Sequence, residues 1–149
     1  MLFGYLQYIL IFLIYGTRPI LYKYIVPYIN VESIILISGM FYLMLAVFYI
    51  YITKPTKLMH DVRIMNKNPQ LYIWLCLSAL FGLVATHFYL DILKDSSAVL
   101  ITALFSAYPL VTATAGYLFL NEVITRKQFI GMVIIIAGVI LMNSGDFDY

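Results

Sequence analysis

Long unbroken apolar stretches constrain this chain more than anything else in it. The segments 34–52, 71–90 and 98–120 contain no Asp, Glu, Lys or Arg at all. Each approaches the length of about 20 residues that a helix needs to cross the hydrocarbon of a bilayer. Two further apolar runs flank them. One covers 2–26 and is interrupted by Gly16-Thr17-Arg18-Pro19 and by Lys23. The other covers 129–142 and is short for a span, which a local thinning of the bilayer accommodates. Of the 149 residues, 64% are hydrophobic and 11% charged, with mean hydropathy +0.96. The core of a soluble domain of this size cannot hide so much apolar surface.

The expected fold is therefore an all-α integral membrane bundle of about five transmembrane helices, forming a single domain over residues 1–149. A β-barrel would alternate apolar and polar residues along each strand, and these runs do not alternate. The net charge of +2 is too small to suggest nucleic acid as a partner. Membrane lipids are the expected surroundings. The single cysteine, Cys76, has no partner for an intramolecular disulfide and lies within an apolar run. It reads as a small packing residue. The segment from Met1 to Gln7 lacks Lys and Arg, and its apolar run outlasts the length of a signal peptide. The first helix is expected to act as its own insertion signal.

Helix starts carry recognisable caps. Asn68-Pro69 suits an N-cap followed by proline at the first helical position. Asp95-Ser96-Ser97 is placed to cap the fourth helix, and Thr125 with Gln128 has the spacing of a capping box. The fourteen tyrosines suit an interfacial belt, with some facing the bundle.

Basic residues set the expected topology. Lys54, Lys57, Arg63, Lys67, Arg126 and Lys127 fall in the second and fourth loops, on the side of the N-terminus. Lys94, Lys23 and Arg18 fall toward the other side, with Asp91, Asp95, Asp146 and Asp148. The positive-inside rule then places the N-terminus in the cytosol and the C-terminus outside.

Few residues within the runs are polar enough to carry function. Arginine in a membrane helix costs a few kcal/mol on insertion scales, so it normally faces a cavity or a partner. Arg18 has two readings. It lines a pathway and favours an anionic or hydroxyl-rich group, or it snorkels to the outer interface. Pro19 favours a kink beside it. Lys23, further along the same run, reads as snorkelling. His87 and Asp91 are four apart and share a face of the third helix. In the expected topology they lie at a depth similar to Arg18, so the site expected to contact substrate comprises Tyr15, Arg18, His87, Asp91 and Tyr108. A lone membrane histidine more often bonds a neighbouring helix. Ala98, Thr102, Ser106, Ala113 and Gly116 form a small-residue stripe, interrupted by Tyr108-Pro109. Packing is its commoner use, although the proline leaves a carbonyl open to a ligand or a threonine. Gly131 and Gly138, seven apart, read as a packing seam. Glu122 reads as a solvated or capping carboxylate. No metal-ligand spacing, phosphate loop or nucleophile motif is present, so no enzyme activity and no cofactor are expected.

The order Ser97-Ala98, Ser106-Ala107-Tyr108-Pro109-Leu110, Gly116 to Glu122, then Thr125, Gln128, Gly131 and Gly138-Val139 resembles the drug/metabolite transporter superfamily, and within it the EamA-type repeat. Tyr15-Gly16 stands where that family often has Trp-Gly, and Lys23 where it often has Lys. The resemblance implies a transporter of small organic or lipid-linked solutes, with its site among the first four helices. Small multidrug-resistance relatives carry a glutamate in the first helix. Here that acid is absent and Arg18 is present, which argues against export of polyaromatic cations. Many family members hold two repeats of opposite orientation, so one repeat is expected to form a homodimer or pair with a sister repeat. The one-sided basic bias runs against a simple antiparallel dimer. A scaffold or assembly protein that keeps the fold without transporting is the alternative.

Overall fold

The structure is a computed structural model that describes residues 2–53 and 55–143, with side chains for 6–53 and 57–142. The described residues form seven helices: α1 (Leu2–Ile25), α2 (Val31–Thr53), α3 (Pro55–Lys67), α4 (Gln70–Asp95), α5 (Ala98–Phe105), α6 (Tyr108–Leu120) and α7 (Arg126–Asn143). Three stretches among them are long and apolar enough to cross a membrane: α2, α4, and α5 with α6 taken together. The chain divides into two compact units, 1–23 with 95–149, and 24–94.

In the first unit, α1 continues through Gly16 and Pro19 without a break, although this segment interrupts the apolar run. Pro19 itself is buried. The segment 98–120, read from sequence as one helix, is two. Ser106 and Ala107 form a turn between α5 and α6. Pro109 has no N–H to return to the carbonyl four residues earlier, so the ladder is broken there. The Ala107 N–H turns instead to the Leu104 carbonyl at 3.2 Å, and the Leu110 N–H to Ala107 at 3.1 Å.

Ser97 caps α5, its side chain accepting from the Leu100 N–H at 3.1 Å. The capping box of α7 is closed in both directions. The Thr125 N–H donates to Gln128 Oε1 at 2.8 Å, and the Gln128 N–H donates to Thr125 Oγ1 at 3.3 Å. Between these caps, α6 ends at Asn121 in the left-handed region, φ 55°. The Glu122 N–H reaches the Gly116 carbonyl at 3.1 Å.

In the second unit, Pro27 follows α1 within a turn closed by the Tyr28 N–H on the Ile25 carbonyl, 3.0 Å. The helices here outrun the apolar stretches that announce them. α4 extends to Asp95, beyond the expected end at residue 90, and so takes Asp91 and Lys94 into its last turns. The start of α4 uses the main chain: the Asn68 carbonyl accepts from the Leu71 N–H at 3.0 Å. The segment 55–67, expected to be loop, is the helix α3. Its signal was present in sequence as proline at the first helical position and apolar residues at Leu58, Val62 and Met65.

Buried apolar side chains in this unit are Val26, Val31, Ile34, Leu90 and Leu93. They lie before and at the start of α2 and near the end of α4. The remaining length of both helices is covered by exposed apolar groups, with Phe48 62%, Trp74 67% and Phe81 68% exposed. Such a surface is stable in hydrocarbon and not in water. This is an integral membrane protein.

Candidate solute-binding region

The polar side chains singled out from sequence divide between the two units. Tyr15, Arg18 and Tyr108 belong to the first, His87 and Asp91 to the second.

On α1, Tyr15, Arg18 and Tyr22 recur at spacings of three and four and so share one face of the helix. Arg18 Nη2 donates to Tyr22 Oη at 3.0 Å. The guanidinium carbon also lies 5.2 Å from the centre of the Tyr22 ring. The two contacts together fix the charge against an aromatic face, where the ring quadrupole attracts a cation. They direct the arginine toward the C-terminal end of α1. Tyr15 and Tyr108 are exposed, and neither is hydrogen-bonded to Arg18 among the described residues. Tyr22 was not among the residues expected at the site. Its signal was the spacing of four from Arg18.

Lys23 does more than reach for the interface. Its Nζ donates to the Ser96 carbonyl at 2.9 Å in a partly buried position. The bond fastens the end of α1 to the turn that precedes the Ser97 cap of α5. The match of Lys23 to a lysine common in the resembled family was the one sequence signal for it.

On α4, Asp91 Oδ1 accepts from Lys94 Nζ at 3.1 Å. The carboxylate thus has a partner one turn away on its own helix. His87 is half-buried, one turn before Asp91.

The threonine hydroxyls of α5 and α6 turn inward to their own helices. Thr102 donates to the Ala98 carbonyl at 2.7 Å, Thr112 to Tyr108 at 3.3 Å and Thr114 to Leu110 at 2.9 Å. Local bonds of this kind satisfy a hydroxyl without water and suit a lipid-facing or packed helix. Within the stripe, Ala98 and Gly116 are buried. A Cβ placed on Gly116 would come within 2.8 Å of Glu122 Oε2. The absent side chain is what lets the Glu122 carboxylate fold back over α6.

Gly131 and Gly138 differ from Gly116. A Cβ at either meets nothing within 4 Å. Among the described residues of its own unit, the expected seam on α7 is left open.

Compared with known proteins, the sequence matches the model of the EamA-like transporter family over residues 2–144. No curated protein and no solved structure matches it significantly.

Proposed function

The chain belongs to the EamA-like transporter family, and from that premise we propose that it moves a small organic or lipid-linked solute across the bilayer. The observation that carries this reading is the Arg18–Tyr22 pair: a guanidinium held against an aromatic ring on a helix whose one other charge is Lys23. A fixed cation in a low-dielectric region attracts an anionic or hydroxyl-rich group. In this reading Tyr15, Arg18, His87, Asp91 and Tyr108 line the pathway. An anionic solute competes with the Tyr22 hydroxyl for the Arg18 guanidinium.

The proposed arrangement has five crossings, with α1 and α7 added to the three spans of evident length. The N-terminus is cytosolic and the C-terminus external. A second repeat, another copy of the chain or a sister repeat, completes the pathway, since opposed repeats are how such folds alternate access. The open glycines of α7 support a partner helix outside the chain, because small residues admit close helix approach.

Flux in proteoliposomes against a panel of anionic, neutral and lipid-linked solutes tests the proposal. Arg18→Leu should abolish transport of the preferred solute in a protein that still folds. Arg18→Lys should weaken it, because the planar fork is lost. Normal flux in Arg18→Leu removes Arg18 from the pathway. A protein that moves no solute in any class, yet is stable in the membrane, supports the scaffold alternative. The self-satisfied hydroxyls of α5 and α6 are the observation that favours that alternative.

A further inference from the structure

We propose that α3 is an anionic-lipid-binding helix that lies in the membrane interface between α2 and α4. The inference goes beyond the transport reading and holds whether or not the chain moves a solute.

The sequence of α3 separates by face. At 100° per residue, Leu58, Val62 and Met65 fall on one side, with Met59 at its margin. Lys57, His60, Arg63 and Lys67 fall on the opposite side, with Ile64 the one apolar residue among them. Among the described residues most of the apolar face is open: Leu58 is 48%, Val62 42% and Met59 75% exposed, and Met65 is half-buried. An apolar stripe beside a basic one is the composition of a helix that sits at a lipid surface.

Connectivity supplies the second argument. Both neighbours of α3, α2 and α4, are long and apolar enough to cross the membrane. The connection from α2 is one residue, and the connection to α4 is Asn68-Pro69. Two successive spans meet their connecting segment at the same membrane face, so both ends of α3 are held there. Tyr72 of α4 strengthens the second junction, its hydroxyl donating to Asn66 Oδ1 at 2.7 Å. The apolar face of α3 then enters the acyl boundary while the basic face meets headgroups. Lys57, Arg63 and Lys67 carry three positive charges against one negative, that of Asp61, which lies 3.5 Å from His60 Nδ1. Charge complementarity selects an anionic lipid over a zwitterionic one.

The test uses the full chain in phosphatidylcholine vesicles with and without phosphatidylglycerol. Trp74, the only tryptophan, lies at the start of α4 beside the end of α3 and reports on lipid there. Brominated phosphatidylglycerol should quench it more than brominated phosphatidylcholine. The combined Lys57→Gln, Arg63→Gln and Lys67→Gln variant should lose that preference, by about fivefold for each basic residue removed. The charge-conserving Arg63→Lys and Lys67→Arg variant should keep it. In a Cys76→Ser background, spin labels at Leu58 and Val62 should be accessible to oxygen in the lipid, and labels at Arg63 and Lys67 to a water-soluble nickel chelate. Equal quenching by both lipids in the unsubstituted protein overturns the proposal. So does water access all around α3, or protection from both reagents by a covering protein surface.

Discussion

Lys23 Nζ donates to the main-chain carbonyl of Ser96 at 2.9 Å, a link between residues 73 apart in sequence. It joins the last turns of α1 to the turn before α5, within a unit that otherwise buries few side chains. A charge-assisted bond in a partly buried position is worth more than an exposed one, on the order of 2 kcal/mol. Lys23→Met should therefore lower the stability of the protein in detergent by about that amount, measured by thermal or denaturant unfolding. Lys23→Arg keeps the charge and should recover part of the loss. Unfolding that is identical in Lys23→Met would remove the link from the account of stability.

The end of α6 depends on a residue that tolerates positive φ. Asn121 adopts φ 55°, and asparagine tolerates the left-handed region better than most side chains. Asn121→Gly should be close to neutral. Asn121→Val should cost about 1–2 kcal/mol, because a β-branched side chain clashes in this conformation. Equal unfolding of the two variants would show that the turn relaxes to another conformation.

Gly116 should accept a methyl group and reject a larger one. The atom nearest an added Cβ is Glu122 Oε2, the far end of a flexible side chain, which can move aside. Alanine also gains about 1 kcal/mol in helix propensity over glycine. Gly116→Ala should accordingly unfold near the unsubstituted protein. Gly116→Leu should lose about 1–3 kcal/mol through overpacking at a buried position. A large loss in Gly116→Ala would mean that the Glu122 carboxylate is held in place.

Tyr22 separates the two contacts of Arg18. Tyr22→Phe removes the acceptor hydroxyl and keeps the ring, and Tyr22→Leu removes both. If the fixed guanidinium serves transport, the order of flux should be unsubstituted, then Phe, then Leu. Cation–ring attraction of about 0.5–2 kcal/mol sets the gap between the last two at roughly two- to thirtyfold. Flux that does not depend on residue 22 would detach this pair from the pathway.

A Cβ added at Gly131 or Gly138 meets no described atom within 4 Å. Replacing both with leucine should leave the thermal stability of the monomer in detergent unchanged. Cross-linking between copies in the membrane should fall if α7 packs against a second repeat. A drop in monomer stability would instead place the glycines against another part of the same chain.

Much of this architecture is local in origin and was legible in the sequence. The uncharged segments announce α2, α4 and the α5–α6 stretch, because a residue's preference for hydrocarbon does not depend on its distant neighbours. The Thr125–Gln128 box and the Ser97 cap were readable for the same reason: their partners lie three residues away. Marking helices by apolar residues alone truncated α4 at residue 90 and left α3 as loop, since amphipathic and terminal turns are polar by average. The expected extramembrane tail, Asp146 to Tyr149, lies outside the described residues.

Residue order alone dictates that the chain enters a membrane as helices, and which caps begin them. Folding in three dimensions is needed to bring Lys23 onto Ser96 and the Glu122 carboxylate over Gly116. These depend on where the backbone returns after a turn, and no composition or period along the chain encodes that position. Arg18 shows the boundary between the two. Its cost in hydrocarbon was evident from sequence, but its choice of Tyr22 as a partner rests on the rotamers of two side chains one helical turn apart.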